Sequence, residues 1–297
     1  MRRRKIVIDG RIVQVGCFRG TARVADSLLK ALHMLGDRRY EIQVMLFGQS
    51  STWNPRLEFV PMSEYVNRGR AAFRVSPVPL GWDCWEWKAF AFDRWILPSI
   101  LTRNEVALYH CPVTRQLARG DQHYKTVTTL HDLAPLLLKE HQPNSAESKW
   151  CYAQELSGLQ YSDAVACVSN FTKQQFISAF PGAATKAITI HNGVDELFLS
   201  VGDVPEPAGF QQHHLDSGYF LFVGGIDARK NIAGMLRTLA AVPDALRLPL
   251  VWVGNVGAEK RTEFDDWARQ RGVVIYFMGE TSDLVLCSLY RSATLYL

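Results

Sequence analysis

Residues 219–240 read YFLFVGGIDARKNIAGMLRTLA, and the fold follows from what this stretch requires. The run at 219–223 is short, apolar and rich in aromatics, the pattern of a strand buried in a parallel sheet. Gly224 and Gly225 end it. Two adjacent glycines let the backbone turn sharply and approach a ligand closely. Arg229 and Lys230 follow, then Asn231, a residue suited to cap a helix. Ile232, Met235, Leu236 and Leu239 recur at i, i+3, i+4 and i+7, which makes one apolar helix face. The unit is therefore strand, glycine turn, two adjacent cations, helix. It sets positive side chains and a helix N-terminus at the carboxyl edge of a sheet, which suits a phosphate or diphosphate. An ordinary strand-to-helix loop with a solvated Arg-Lys pair has the same sequence, and both readings stand at this point.

The same alternation runs through the rest of the chain. Residues 5–9 form a strand, and a loop over 11–20 holds Gly16 and Gly20. The helix beyond it carries Ala25, Leu28, Leu29 and Leu32 on one face. Neither GxGxxG nor GxxxxGK[ST] occurs, so neither the dinucleotide fingerprint nor a P-loop is present. A second strand spans 40–47. The segment 49–79 is polar and holds Pro55, Pro61, Pro77 and Pro79, which predicts a long loop or irregular piece. An aromatic stretch follows, with Trp82, Trp85, Trp87, Phe90, Phe92 and Trp95, ending at Pro98. A core or interdomain helix is the favoured reading, because large aromatics supply buried area. The other reading is an interfacial helix on a membrane, and the mixed charges Asp83, Glu86, Asp93, Lys88 and Arg94 do not decide between them.

Four short runs then end in polar or ionisable residues. Residues 106–109 lead to His110, 126–130 to His131-Asp132, 164–168 to Ser169, and 187–190 to His191-Asn192-Gly193. Ligands of doubly wound sheets sit outside the carboxyl ends of the strands, and the polar residues keep falling at that edge. Residues 201–217 read as a linker. The pattern restarts at 219, with Gly254 after 250–253 and Gly279-Glu280-Thr281 after 273–278. The expected organisation is α/β, with a first domain over 1–200, a linker over 201–217 and a shorter second domain over 218–297.

Composition adds exclusions. The chain has 297 residues, 47% hydrophobic and 21% charged, so it reads as soluble and globular, with room for two domains. Net charge is +4, so any preference for anions must be local. A nucleic-acid partner would rest on the basic run at 2–5 alone and is not expected. There is no apolar run of membrane-spanning length and no signal-peptide core. The six cysteines are scattered without CxxC spacing, which predicts reduced thiols in a cytoplasmic protein and no zinc.

Taken in order, Asp9-Gly10-Arg11 with the loop at 16–23, His131-Asp132-Leu133, 168–173, Asn192-Gly193-Val194-Asp195, and Gly224-Gly225 with Arg229-Lys230-Asn231 resemble the retaining glycosyltransferases of family 4. Residues 277–280 and 289–293 are also similar to that family, so the resemblance covers nearly the whole chain. It implies the GT-B fold, two Rossmann-like domains facing across a cleft, with the first on the acceptor side and the second binding the nucleotide sugar. It implies transfer of a hexosyl group from a nucleotide-diphosphate sugar to a glycan or lipid-linked acceptor, with no metal or other cofactor. Lys230 and Arg229 would stabilise the diphosphate, and Gly16 and Gly20 would add backbone N–H groups. His131 would lie near the donor sugar, and Glu280 and Thr281 near the nucleobase. Many members carry an arginine directly after the strand glycine, where this chain has Gly225. Ser169 and Thr172 read as cap and turn residues. The family continues with a Glu-x7-Glu motif beyond the point at which this chain stops, so the second domain is expected to be incomplete. The alternative to an active enzyme is then a truncated, inactive nucleotide-binding remnant. A lipid-linked acceptor would bring peripheral contact with the inner face of the plasma membrane.

Overall fold

The computed structural model describes residues 3–15, 20–36, 39–47, 57–68, 90–114, 122–139, 142–199 and 215–297. The chain separates into two units, Met1–Gly193 and Val194–Leu297. The seam falls ahead of the boundary expected at 200, because the short helix Glu196–Leu199 packs with the second unit. There Cys287 Sγ donates to the Leu197 carbonyl at 3.4 Å, and Phe198 meets Tyr290 edge-on at 6.1 Å. Most of the expected linker, residues 201–214, lies outside the described residues, as do Gly16 and the aromatics Trp82, Trp85 and Trp87.

The first unit is built on seven strands: β1 (Arg4–Asp9), β2 (Tyr40–Phe47), β3 (Leu57–Pro61), β4 (Val106–Cys111), β5 (Lys125–Leu130), β6 (Ala164–Cys167) and β7 (Ala187–Thr189). Their order in the sheet is 3-2-1-4-5-6-7, parallel throughout except for β3 against β2. Alternate residues serve opposite faces, as strand geometry demands. Val7 and Met45 enter one apolar cluster, while Ile8, Val44 and Leu46 enter another. Chain order reverses between β1 and β4, and at that switch point ligand crevices open in doubly wound sheets.

Three local expectations are corrected. Residues 57–68 are the antiparallel edge strand β3 followed by helix Met62–Arg68, not an irregular loop. Pro61 is tolerated because an edge strand needs no second ladder of donors, and Phe59 and Val60 pack into opposite clusters. Within the expected loop at 11–20, residues Arg11–Val15 form a short helix. Pro98 does not end a helix. It sits in the first turn of Leu97–Arg103, which continues a π-helical turn, Phe92–Ile96. Leu97 N–H bonds to the Phe92 carbonyl five residues back. The wide turn falls where Pro98 has no N–H to offer the preceding turn.

The second unit holds β8 (Phe220–Val223), β9 (Leu250–Val253), β10 (Ile275–Gly279) and β11 (Leu295–Tyr296), all parallel, in the order 10-9-8-11. Trp252 is fully buried at its centre, with the rings of Phe222, Phe264 and Phe277 at 5.1, 5.4 and 5.4 Å. A buried indole N–H needs an acceptor. Trp252 Nε1 finds it in the Gly224 carbonyl at 2.8 Å, which ties the aromatic core to the glycine turn. Chain order reverses between β8 and β11, so the turn after β8 stands at this sheet's switch point.

Candidate functional site

At the carboxyl edge of the second sheet the strand-end loops are joined backbone to backbone. Gly224 N–H donates to the Val253 carbonyl and Gly254 N–H to the Gly279 carbonyl, each at 2.8 Å. Gly254 has φ +136°, and a Cβ there would collide with the Gly224 carbonyl oxygen, so only glycine lets the two loops meet. Beyond the turn, the 3₁₀ segment Ala228–Lys230 leads to helix Ile232–Ala241, whose Ile232, Leu236 and Leu239 are buried as the periodicity predicts. Asn231 caps this helix, its side chain accepting from Gly234 N–H at 3.2 Å. It does so from the left-handed region (φ +47°), where asparagine is better tolerated than most residues. The close seat of that side chain leaves no room for a Cβ at Gly234, with Asn231 Oδ1 2.7 Å from its position. Gly234→Ala should therefore displace the cap, and we expect a loss of about 1 kcal/mol in urea unfolding despite alanine's higher helix propensity. A stabilised variant would show that the cap contributes nothing.

The two cations of the turn are not equivalent. Arg229 lies on Asp227, with Nη2 2.9 Å from Oδ2 and Nε 3.2 and 3.3 Å from the two carboxylate oxygens. Lys230 is exposed and its ammonium makes no hydrogen bond or ion pair among the described residues. Its side chain folds back over the glycine turn, with Cε 3.8 Å from where a Gly224 Cβ would stand. Glu280 and Thr281 follow β10, two strands away. Glu280 is exposed, while the Thr281 hydroxyl is buried without a hydrogen-bond partner among the described residues.

At the carboxyl edge of the first sheet the structure places a network that sequence reasoning missed. Asp9 and Arg11, at the end of β1, are both buried. Arg11 donates Nε and Nη2 to Asp9 at 2.9 and 2.6 Å and Nη1 to Asp93 at 2.7 Å. Tyr109 Oη donates to Asp9 at 2.7 Å. The rings of Phe47 and Phe92 lie 5.6 and 5.7 Å from the guanidinium. Burial opposes the Arg11 charge, but Asp9 and Asp93 outweigh it and hold the group protonated; burial, then Asp9, pushes Tyr109 well above the usual phenol range. The signal available in the sequence was a carboxylate and a guanidinium two residues apart directly after an apolar strand. The Asp93 partner is 82 residues away and has no local signature.

Two histidines tie the ends of β4 and β5. His110 Nε2 is 2.9 Å from Thr129 Oγ1, and His131 Nε2 is 2.9 Å from the Pro112 carbonyl. A carbonyl only accepts, so Nε2 of His131 carries a proton and donates it to Pro112. Burial pushes His110 down to about 4, against the pull of Asp9. Below pH ~6.5 the unfolded chain takes up a proton that folded His110 refuses, so its contribution to stability is complete above ~6.5 and is lost as pH falls toward about 4. Removing the titration with His110→Asn should make the stability difference between about pH 7.5 and about pH 4.5 smaller by on the order of 2–3 kcal/mol. An unchanged acid arm would assign it to other groups. Ser169 caps helix Asn170–Ala179, accepting from Thr172 N–H at 3.0 Å, and Thr172 Oγ1 donates to the His131 carbonyl at 3.3 Å. Both act as the cap and turn residues expected. Gly20 is exposed at the start of helix Gly20–Leu35.

The structure thus brings Gly224, Gly225, Arg229 and Lys230 together on one turn and joins the Glu280-Thr281 loop to it through Gly254 and Gly279. His131 and Gly20 stand in the other unit.

Comparison with known proteins agrees with this architecture. A family model described as Glycosyltransferase Family 4 matches residues 18–196. Among curated proteins, the serotype-specific mannosyltransferase WbdA of Escherichia coli is 26% identical over 180 residues, which is 58% of this chain and 22% of WbdA. The O-antigen chain mannosyltransferase B of Escherichia coli is 24% identical over 161 residues, 50% of this chain and 42% of the relative. The matches therefore span well under half the length of these relatives. Among solved structures, Anabaena HepE in complex with UDP and glucose has TM-score 0.60 and 16% identity, covering 99% of this chain and 73% of its own. WaaG, a glycosyltransferase involved in lipopolysaccharide biosynthesis, has TM-score 0.60 and 14% identity, covering 98% and 74%. At such identities these structures establish the fold.

Proposed function

The chain belongs to glycosyltransferase family 4, with its GT-B fold, and on that premise we propose that it moves a hexosyl group from a nucleoside-diphosphate sugar to a glycan or lipid-linked acceptor. Retention at the anomeric carbon and a place in cell-envelope or exported-polysaccharide synthesis are parts of the same proposal. Mannose is the sugar we favour, because the curated relatives are mannosyltransferases. The observation that carries the reading is the exposed Lys230 folded over the Gly224 turn at the sheet's switch point.

As the bond from the anomeric carbon to the diphosphate breaks, its electron pair goes to the diphosphate oxygen. The Lys230 ammonium and the N-terminal end of helix Ile232–Ala241 meet the negative charge that develops there. In this reading Lys230, aided by Arg229, takes the part a divalent metal plays elsewhere. His131, with Nε2 held by the Pro112 carbonyl, is the residue we assign to orienting the donor sugar. Glu280 and Thr281 serve the nucleobase. No described helix is long and apolar enough to cross a membrane. We place the reaction in the cytoplasm, and for a lipid-linked acceptor the exposed Trp95 and Ile96 are the side chains offered for peripheral membrane contact.

The test incubates the chain with GDP-mannose or UDP-glucose and an oligosaccharide or lipid-linked acceptor. Nucleoside diphosphate release and the anomeric configuration of the product are followed by NMR. Turnover insensitive to EDTA, giving the α-linked sugar from an α-linked donor, is the expected result. An inverted product removes retention. Binding without turnover removes the transferase activity proposed for these 297 residues.

A further inference from the structure

Contacts of one residue, Asp227, shape the cationic turn. Asp227 Oδ1 accepts Arg229 N–H at 2.9 Å, and the Asp227 carbonyl accepts Lys230 N–H at 2.9 Å. The carboxylate also takes Arg229 Nε at 3.2 and 3.3 Å and Nη2 at 2.9 Å. The same side chain therefore fixes the turn that presents both cations and neutralises one of them. From this geometry we infer that Asp227 competes with the diphosphate for Arg229 and so tunes how tightly the leaving nucleoside diphosphate is held. The guanidinium rests on Asp227 and swings to the diphosphate as charge develops there. It returns to Asp227 as the product leaves.

Two physical points support the exchange. A guanidinium fork fits a carboxylate and a phosphate alike, so Arg229 can pair with either partner through the same donors. The Arg229–Asp227 pair is also partly in water, with side chains 43% and 30% exposed. Pairs this accessible are weak, and breaking one is a small cost against a multiply charged diphosphate. Asp227 is a positioning residue in this scheme and touches no substrate. The inference rests on the reading of the Gly224–Lys230 turn as the diphosphate site.

Asp227→Asn separates the two tasks, because its side-chain oxygen still accepts Arg229 N–H while the charge is lost. UDP and GDP are the probes, titrated calorimetrically into the 297-residue chain. Whichever binds the wild type should bind Asp227→Asn about three- to tenfold tighter. The gain should vanish in Asp227→Asn/Arg229→Ala. A residue that only shaped the turn would lose affinity on substitution, so weaker or unchanged binding overturns the inference. Wild-type binding that survives Lys230→Ala undiminished removes the underlying site assignment instead, and absence of binding to either probe removes both.

Discussion

Arg11→Ala should cost about 3–5 kcal/mol of stability, as expected when one partner of a buried ionic network is deleted. The variant leaves Asp9 and Asp93 buried at 1% and 3% exposure without the guanidinium that joins them. It also opens the space between the Phe47 and Phe92 rings. Since whole domains are stable by about 5–15 kcal/mol, a loss of that size threatens the first unit outright. Urea unfolding followed by tryptophan fluorescence measures it. Arg11→Lys should fall between, because an ammonium keeps the charge but cannot reach both carboxylates with a planar fork. Arg11→Met combined with Asp9→Asn and Asp93→Asn should recover much of the loss, since removing all the charges of a buried network is milder than removing one. A cost below about 1 kcal/mol for Arg11→Ala would mean that water reaches the site and screens the carboxylates.

The network has a second consequence. It fastens the π-helical turn Phe92–Ile96 and the short helix Arg11–Val15 to the end of β1, at the switch point of the first sheet. The strand ends that carry His110 and His131 lie next along the same edge. Ordering this edge therefore depends on a contact between residues 82 positions apart. No periodicity or motif announces such a pairing, which explains why Asp93 read only as one charge in an aromatic stretch.

Elements were legible where local chemistry decides them. The strand, glycine turn and helix at 219–240 follow from an apolar run, two glycines and a 3.6-residue period, and the structure realises each of them. The caps at Ser169 and Asn231 follow from residue type and position. By contrast, β3 is hidden because Pro61 and the polar residues that flank the strand are those of a loop. Only pairing with β2 makes Leu57–Pro61 a strand. The geometry of the candidate turn was legible only in part. Arg229 and Lys230 are conspicuous as adjacent cations, but their difference is set by Asp227, whose carboxylate turns back two residues to take the first of them. A sequence shows that the acid is nearby without showing the turn that aims it.

That difference fixes the ranking of variants at the turn. Lys230→Ala should weaken nucleoside diphosphate binding by about 1.5–3 kcal/mol, the range for hydrogen bonds to charged groups, or roughly ten- to 150-fold in Kd. The side chain is already poised over Gly224, so little is spent in bringing it to the ligand. Removing the neighbouring pair together, as Arg229→Ala/Asp227→Asn, subtracts one positive and one negative charge and leaves the local sum unchanged. That double variant should stay within about threefold of wild type, since an exposed pair contributes less than about 1 kcal/mol. Because Lys230 is exposed, its effect should shrink as salt is raised and the Debye length falls below the reach of the ammonium. Calorimetric titration of UDP and GDP at two ionic strengths checks all three statements. If the double variant loses as much as Lys230→Ala, Arg229 carries the diphosphate. If Lys230→Ala binds like wild type at low salt, the diphosphate lies elsewhere on the sheet edge.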